Sequence, residues 1–386
     1  ISACVRLEDQ ISSCQVDCDQ KMSSCQVFRY TGHHRATKIC PPIKLIVIHT
    51  KVESDIITVR RDPLSSLFNI IYPDLEVFMD KITHFSTFSG IGGATSALKL
   101  AGIPHKTVGI SEINQGALRL RKAILGSNPP NIGSIITASW DSLKSPYLLT
   151  GGFPCQSFSV MGKMTGFKDP NDPKIQATHA LRKMVNDLQP SYVLLENVAG
   201  ILTKTQKPYL LQFLKGFKGY SYVIHKMNPN DIGYLQSRTR VYIALTRKDM
   251  PNWNVPQTFP QQHTPIQTWA DIVDSTPDPS EFYNVAKKSR IVCIINPQST
   301  KYNCVTRGGV QSHCGRMSWI PHKKAYRSPT NSEHFKLFGY VDHPTITTSR
   351  SLSRKVISEG FGNSWHIGHA SLVLSTLPLP KGIKIS

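Results

Sequence analysis

The chain has 386 residues, 40% hydrophobic content and a formal net charge of +20. That length allows one large domain plus a smaller one, and the apolar content is ample for a buried core. So basic a balance favours a polyanionic partner, nucleic acid before an anionic membrane surface, and no apolar run approaches the roughly 20 residues that span a bilayer.

Residues 1–81 read as an N-terminal extension of unknown role. Five of the nine cysteines fall there, Cys4, Cys14, Cys18, Cys25 and Cys40. Their spacing completes no paired zinc-knuckle pattern, so ordinary thiols are expected and no metal site is assigned. Nine cysteines in a chain this long do not suggest a secreted disulfide scaffold, and no secretory signal is read at the start. A reducing compartment is expected, the nucleus in a eukaryotic cell and the cytoplasm otherwise. Two short β-like runs follow, Leu45–His49 and Ile56–Val59.

From Thr83 the pattern alternates. Thr83–Phe88 reads as a strand, Gly90–Gly93 as a turn, and Ala94–Leu100 as a helix. Thr107–Ile110 reads as the next strand, ending at Ser111-Glu112. Tyr147–Thr150 is a buried strand, Ile175–Asp187 a helix, and Tyr192–Leu195 a buried strand ending at Glu196. Tyr209–Lys215 reads as a helix, and Tyr222–Met227 and Arg240–Leu245 as strands. Alternation of this kind argues for a doubly wound α/β sheet, with ligands outside the carboxyl ends of its strands. Residues 82–250 form that expected domain.

From Pro251 to about Pro279 the chain is rich in Pro, Gln, Thr and Asp and loses the alternation. Residues 251–330 are therefore read as a small second domain, and residues 331–386 as a return to the first, with a helix over Ile367–Leu377. Between Lys287 and Lys355 there are thirteen Lys or Arg against two acids, Glu333 and Asp342. Tyr302, His313, Trp319, His322, Tyr326 and His334 are interleaved with them. Basic and aromatic side chains together point to nucleic-acid contact.

Four segments carry chemistry. In Phe88-Ser-Gly-Ile-Gly-Gly93, between strand and helix, the glycines Gly90 and Gly92 admit close approach of a ligand to the backbone. Glu112 ends the next strand, twenty-two residues beyond Gly90, where a Rossmann-like fold puts a carboxylate on ribose hydroxyls. No Gly-Lys-Ser/Thr phosphate loop is present, so a nucleoside is favoured over a nucleoside triphosphate. In Gly151-Gly-Phe-Pro-Cys155-Gln-Ser-Phe-Ser159 the glycines allow a sharp turn, and Pro154 fixes its own φ and biases Phe153 toward extended backbone. A single thiol is thereby presented at the end of a buried strand. Glu196, in Leu-Leu-Glu-Asn-Val, is a strand-end carboxyl whose pKa burial would raise, as a general acid needs. Arg238 and Arg240 lie two apart on one face of an extended segment, where guanidinium groups can hold a base carbonyl, a phosphate, or both.

In order and spacing these segments resemble the cytosine-5 DNA methyltransferases, over roughly residues 82–377. Gly362-Asn-Ser364 resembles the family's closing motif. Trp365, Val305-Thr-Arg-Gly308 and Phe335-Lys-Leu-Phe-Gly-Tyr340 resemble the animal de novo branch. Where the family carries Asp in a Gly-Asp-Ile step, this chain has Gly133-Ser134-Ile135.

The resemblance implies a Rossmann-like S-adenosylmethionine-dependent methyltransferase sheet with a small target-recognition domain. It implies Cys155 as nucleophile, Glu196 as the ring-nitrogen partner, and Arg238 and Arg240 as base and phosphate clamps. Phe88, Gly90, Gly92, Glu112, Asn363 and Ser364 would surround S-adenosyl-L-methionine. Double-stranded DNA is the implied partner, with a flipped cytosine, no membrane, and room for a homo- or hetero-oligomer. Two rivals are a tRNA-methylating relative, whose Pro-Pro-Cys-Gln-Pro-Phe-Thr segment this chain lacks, and an inactive DNA-binding homologue.

Overall fold

The computed structural model describes residues 81–154, 171–260, 266–277, 295–305, 318–340 and 352–385, with the short strands 27–29, 44–46 and 285–286. The chain divides into two compact units, Ile1–Phe78 and Met79–Ser386. In the first, β1 (Val27–Arg29) and β2 (Lys44–Ile46) pair antiparallel. Only the first two residues of the run expected over Leu45–His49 fall in a described strand. Ile56–Val59 and the five N-terminal cysteines lie outside the described residues.

The second unit is built on a six-stranded sheet. In chain order its elements are β3 (Ile82–Thr87), α1 (Gly93–Leu100), β4 (His105–Ser111), α2 (Gln115–Leu125), β5 (Leu148–Gly151), α3 (Pro173–Leu188), β6 (Tyr192–Val198), α4 (Lys207–Lys215), β7 (Tyr220–Met227) and β8 (Arg240–Arg247). The short helix α5 (Trp269–Ile272) and β9 (Val285–Ala286), β10 (Ile320–His322) and β11 (Ala325–Arg327) follow. The last helices are α6 (Asn331–Leu337), α7 (Arg354–Gly362) and α8 (Ile367–Leu374).

Strand order is β4-β3-β5-β6-β8-β7. The first four strands run parallel, and β8 enters antiparallel between β6 and β7. A separate small sheet, β10-β11-β9, lies in the region expected to be the second domain.

Both faces of the large sheet are covered, so its central strands are buried on both sides. On β6, Tyr192 and Leu194 pack into one core with residues of α1, α2, α7 and α8, while Val193 and Leu195 pack into the other with residues of α3 and α4. The period of two thereby sorts side chains between two helical layers. A polar seam crosses the centre: the His84 ring on β3 meets the hydroxyls of Thr107 on β4 at 3.1 Å and Thr150 on β5 at 2.8 Å.

Several expected boundaries move for local reasons. Phe88 is not strand but a turn residue with φ of +48°. β6 runs on past Glu196 to Val198, because β8 keeps pairing with it that far. The final helix stops at Leu374 rather than Leu377; Pro378 disfavours helical backbone at Leu377, which instead closes a tight turn onto the Leu374 carbonyl. Helices α2, α5, α6 and α7 were not anticipated. Among the described residues no helix is long and apolar enough to cross a membrane.

Candidate active site

The glycine turn follows β3, and its glycines do different jobs. Gly90 has φ of +54°, and a Cβ there would meet only the Phe88 carbonyl oxygen, at 3.9 Å. Gly92 has φ of +85°, and its Cβ would strike Leu125 Cδ1 at 2.6 Å. Gly93 would collide with Ser364 Oγ at 2.9 Å and Trp365 Cβ at 3.1 Å. Gly92 and Gly93 are therefore small for the protein's own packing, and Gly90 alone leaves open space over the turn.

Glu112, just past β4, accepts hydrogen bonds from the amides of Gly90 at 2.7 Å, Ile113 at 2.9 Å and Asn114 at 2.7 Å. The carboxylate expected on a ribose thus stands within reach of the turn, fixed by backbone donors. Among the described residues, the buried Ser89 hydroxyl at the same turn finds no hydrogen-bond partner.

Closure comes from the C-terminal return. α8 packs on α1, and the Ile367 amide donates to the Phe338 carbonyl. Ser364 and Trp365 are buried against the glycine turn, while Asn363 is exposed at the end of α7. Three separate stretches meet there: residues 88–93, Glu112, and 363–365.

The second half of the site lies at the ends of β5 and β6. A Cβ at Gly152 would fall 2.9 Å from Trp365 Nε1 and 3.3 Å from Glu196 Oε2, so only glycine fits between them. Glu196 is 8% exposed and accepts from Arg240 Nε at 2.9 Å. Burial pushes its carboxyl above the ordinary glutamate value, outweighing the pull of Arg240 and Arg238. Asn197, on the other face of β6, donates from Nδ2 to the Phe153 carbonyl at 3.2 Å. The backbone two residues before Cys155 is thereby tied to the strand that carries Glu196. Cys155 itself lies outside the described residues.

The two arginines part company. Arg240 faces Glu196. Arg238 is 2% exposed and donates to the carbonyls of Val305 at 2.7 Å, Gly362 at 3.0 Å and Ser364 at 2.8 Å. It also approaches Cys304 Sγ at 3.4 Å and lies over the Phe338 ring. In this arrangement Arg238 ties the segment leading into β8 to the returning C-terminal segment.

Sequence reasoning did not single out Asn197 or Gly152 for a role. Each sat inside a quoted motif, and the polar Asn197 next to Glu196 on a buried strand was the available signal.

These positions match a known pattern. The family model for C-5 cytosine-specific DNA methylases matches residues 82–306, more than half of the chain. The chain belongs to that family. An orphan methyltransferase of Bacillus phage rho11s, M.Rho11sI, is 33% identical over 176 residues, covering 45% of this chain and 34% of the relative. The type II methyltransferase M.DsaV of Dactylococcopsis salina is 33% identical over 189 residues, covering 48% and 51%. The match thus spans about a third to a half of each curated relative.

Crystal structures agree on the fold. The Dnmt2 methyltransferase of S. pombe is 21% identical with a TM-score of 0.61, covering 76% of this chain and 97% of that one. The Entamoeba histolytica methyltransferase EhMeth is 18% identical with a TM-score of 0.64, covering 77% and 97%. The sheet is the Rossmann-like sheet of these S-adenosylmethionine-dependent enzymes, and S-adenosylmethionine is the family's methyl donor. The open side of Gly90, the Glu112 carboxylate and the unpartnered Ser89 hydroxyl fit a polar nucleoside ligand.

The basic stretch is less of a surface than its composition implied. Arg327 is 1% exposed and forms a two-pronged ion pair with Glu333, at 2.7 Å to each oxygen. Lys336 pairs with Asp274 at 2.9 Å. Tyr302, Trp319 and His334 are buried core residues. His322 and Tyr326 keep partial exposure, and His313 lies outside the described residues.

Proposed function

We propose that this chain methylates carbon 5 of cytosine in double-stranded DNA, through a covalent adduct on Cys155 with the target base flipped out of the helix. The observation that carries this reading is the placement of Glu196. A buried carboxyl with a raised pKa stands beside Gly152, at the entrance to the Phe-Pro-Cys loop, and across from the glycine turn.

Carbon 5 of cytosine is a weak nucleophile while the ring is aromatic. The Cys155 thiolate adds to carbon 6, and the displaced electron pair moves toward ring nitrogen 3. Glu196 in its protonated form donates to that nitrogen, so carbon 5 gains enamine character. The Gly90 turn and Glu112 would hold S-adenosylmethionine, whose sulfonium would supply the methyl group to carbon 5 and leave as the neutral thioether S-adenosylhomocysteine. Loss of the carbon-5 proton to a solvent base then expels the Cys155 thiolate, and ring nitrogen 3 returns its proton to Glu196 as the ring is restored.

Arg240 keeps the Glu196 carboxyl oriented and, with Arg238 behind it, makes the pocket electropositive for an incoming nucleotide. Base flipping follows from the need to bring an in-ring carbon to a buried strand end. The exposed cations of the 287–355 stretch would contact phosphates, with salt-sensitive binding.

Trapping tests the proposal. The protein is incubated with S-adenosylmethionine and duplex DNA carrying 5-fluorocytosine, whose carbon 5 has no proton to lose. An adduct that survives denaturation and maps to Cys155 is expected. Intact DNA binding with no adduct across varied flanking sequences would overturn the covalent mechanism and favour a non-catalytic DNA-binding role.

A further inference from the structure

Two guanidinium groups, Arg238 and Arg240, are buried side by side behind Glu196, at 2% and 9% exposure. Glu196 pairs with Arg240. Among the described residues Arg238 has no carboxylate partner: its guanidinium donates to three carbonyl oxygens and to the Cys304 sulfur at 3.4 Å. Carbonyl dipoles carry partial charge only, and a buried cation without a full counter-charge is costly. Glu196 pairs directly with Arg240 rather than Arg238, and it serves neither as an anion once it carries the proton that its proposed role requires.

We propose that Cys304 is ionised in the folded protein and is the counter-anion of this arginine pair, which lets Glu196 hold a proton without stripping the pocket of negative charge. Cys304 forms no disulfide. Burial alone would push its thiol up, yet Arg238 and Arg240 together carry it below the ordinary cysteine value. The other titratable groups facing the pair do not compete. Tyr242 on β8 is held protonated by burial. His366 and His369 at the start of α8 are kept neutral by burial, His366 pushed down to about 3. Among the described residues, Cys304 and Glu196 are the two groups beside the pair that remain able to carry a negative charge. Cys304 is thus a positioning residue, acting on the reaction through Arg238, Arg240 and Glu196; this part rests on the proposed role of Glu196.

Two measurements separate the claims. The first is the ultraviolet thiolate absorbance of the protein minus that of Cys304→Ser, followed against pH. Iodoacetamide labelling of Cys304 in the unaltered protein, mapped by peptide mass, gives the same midpoint without a variant. A midpoint clearly below the ordinary cysteine value of about 8.5 is expected, and one at or above it overturns the counter-anion. This result is independent of any methyl transfer.

The second is the alkaline limb of kcat/KM. Removing an anion makes the surroundings of Glu196 more positive and its proton easier to lose. Cys304→Ser should move the limb to lower pH by a resolvable shift, while Cys304→Asp, which restores a negative charge, should hold it near the parent position. Equal limbs in the two variants overturn the coupling even where the thiol titrates low.

Discussion

One methyl group at Gly152 probes the geometry on which the site depends. The backbone there tolerates alanine, since Gly152 is not among the glycines of positive φ. Space is the obstacle: the new Cβ would lie 2.9 Å from Trp365 Nε1 and 3.3 Å from Glu196 Oε2. Neither neighbour can easily retreat. Trp365 is 6% exposed, meets the Tyr242 ring edge-on with centroids 5.7 Å apart, and backs onto Gly93. Glu196 is held by Arg240. Overpacking of this kind costs about 1–3 kcal/mol. If that displaces Glu196 from its working position, the loss in kcat is about 5- to 150-fold at 1.36 kcal/mol per decade. The assay is single-turnover methyl transfer to duplex DNA, with thermal unfolding run alongside to separate misfolding from misplacement. Replacing the indole with a shorter side chain should relieve the clash, so Gly152→Ala/Trp365→Val should turn over faster than Gly152→Ala alone. A Gly152→Ala enzyme within twofold of the parent would refute the tight packing of Trp365 against Glu196.

Glu196→Gln keeps the shape of the side chain and removes its proton. Turnover is expected to fall by roughly 10²–10⁴, the usual contribution of a general acid, with little change in DNA binding. In the parent the working form is the protonated one, so activity should decline as pH rises through the raised Glu196 pKa, and the variant should lack that limb. The same sign governs stability. A carboxyl whose folded pKa is raised stabilises the protein fully at low pH and loses that contribution as pH rises through the folded value. The Gln variant should therefore gain on the parent in melting temperature with rising pH; a growing deficit instead would mean that the Arg240 ion pair outweighs burial. Away from the site, Glu333→Gln breaks a pair buried at 0% and 1% exposure that also receives the amides of Thr330 and Asp274. A loss of about 3–5 kcal/mol is expected from urea unfolding, and a loss under 1 kcal/mol would show that the pair contributes little net stability.

Much of the α/β pattern was legible because the central strands are buried on both faces and read as unbroken apolar runs. Residues 192–195 of β6 and 241–245 of β8 are such runs, and Leu148-Leu149 of β5 is a shorter one. Of the four unanticipated helices, α5 is a single turn, and α2 and α7 lacked the matching helical signal. On α2 the inward face includes Arg121, 2% exposed, whose Nη1 donates to the Ser127 carbonyl; a charge in the apolar stripe conceals the period. α7 carries two glycines in nine residues and buries Ser358. α6 did announce itself, through Thr330 and Glu333 as a capping box, but its seven residues are too short for periodicity to speak.

At the candidate site, what sequence conveyed was residue type at a strand end; what it could not convey was which partner each group would find. Glu112 and Glu196 both ended strands, yet one is a half-buried acceptor for three amides and the other a buried partner of Arg240. Arg238 and Arg240 share a two-residue spacing and so a face, but the C-terminal return from a hundred residues away covers one of them with carbonyls and leaves the other on a carboxylate. The same limit explains the basic stretch. A count of cations measures potential only if each cation is solvated, and Arg327 is consumed by Glu333 six residues later. Local spacing reports which chemistry is available; long-range contacts decide whether a charge is spent inside the protein or offered to a ligand.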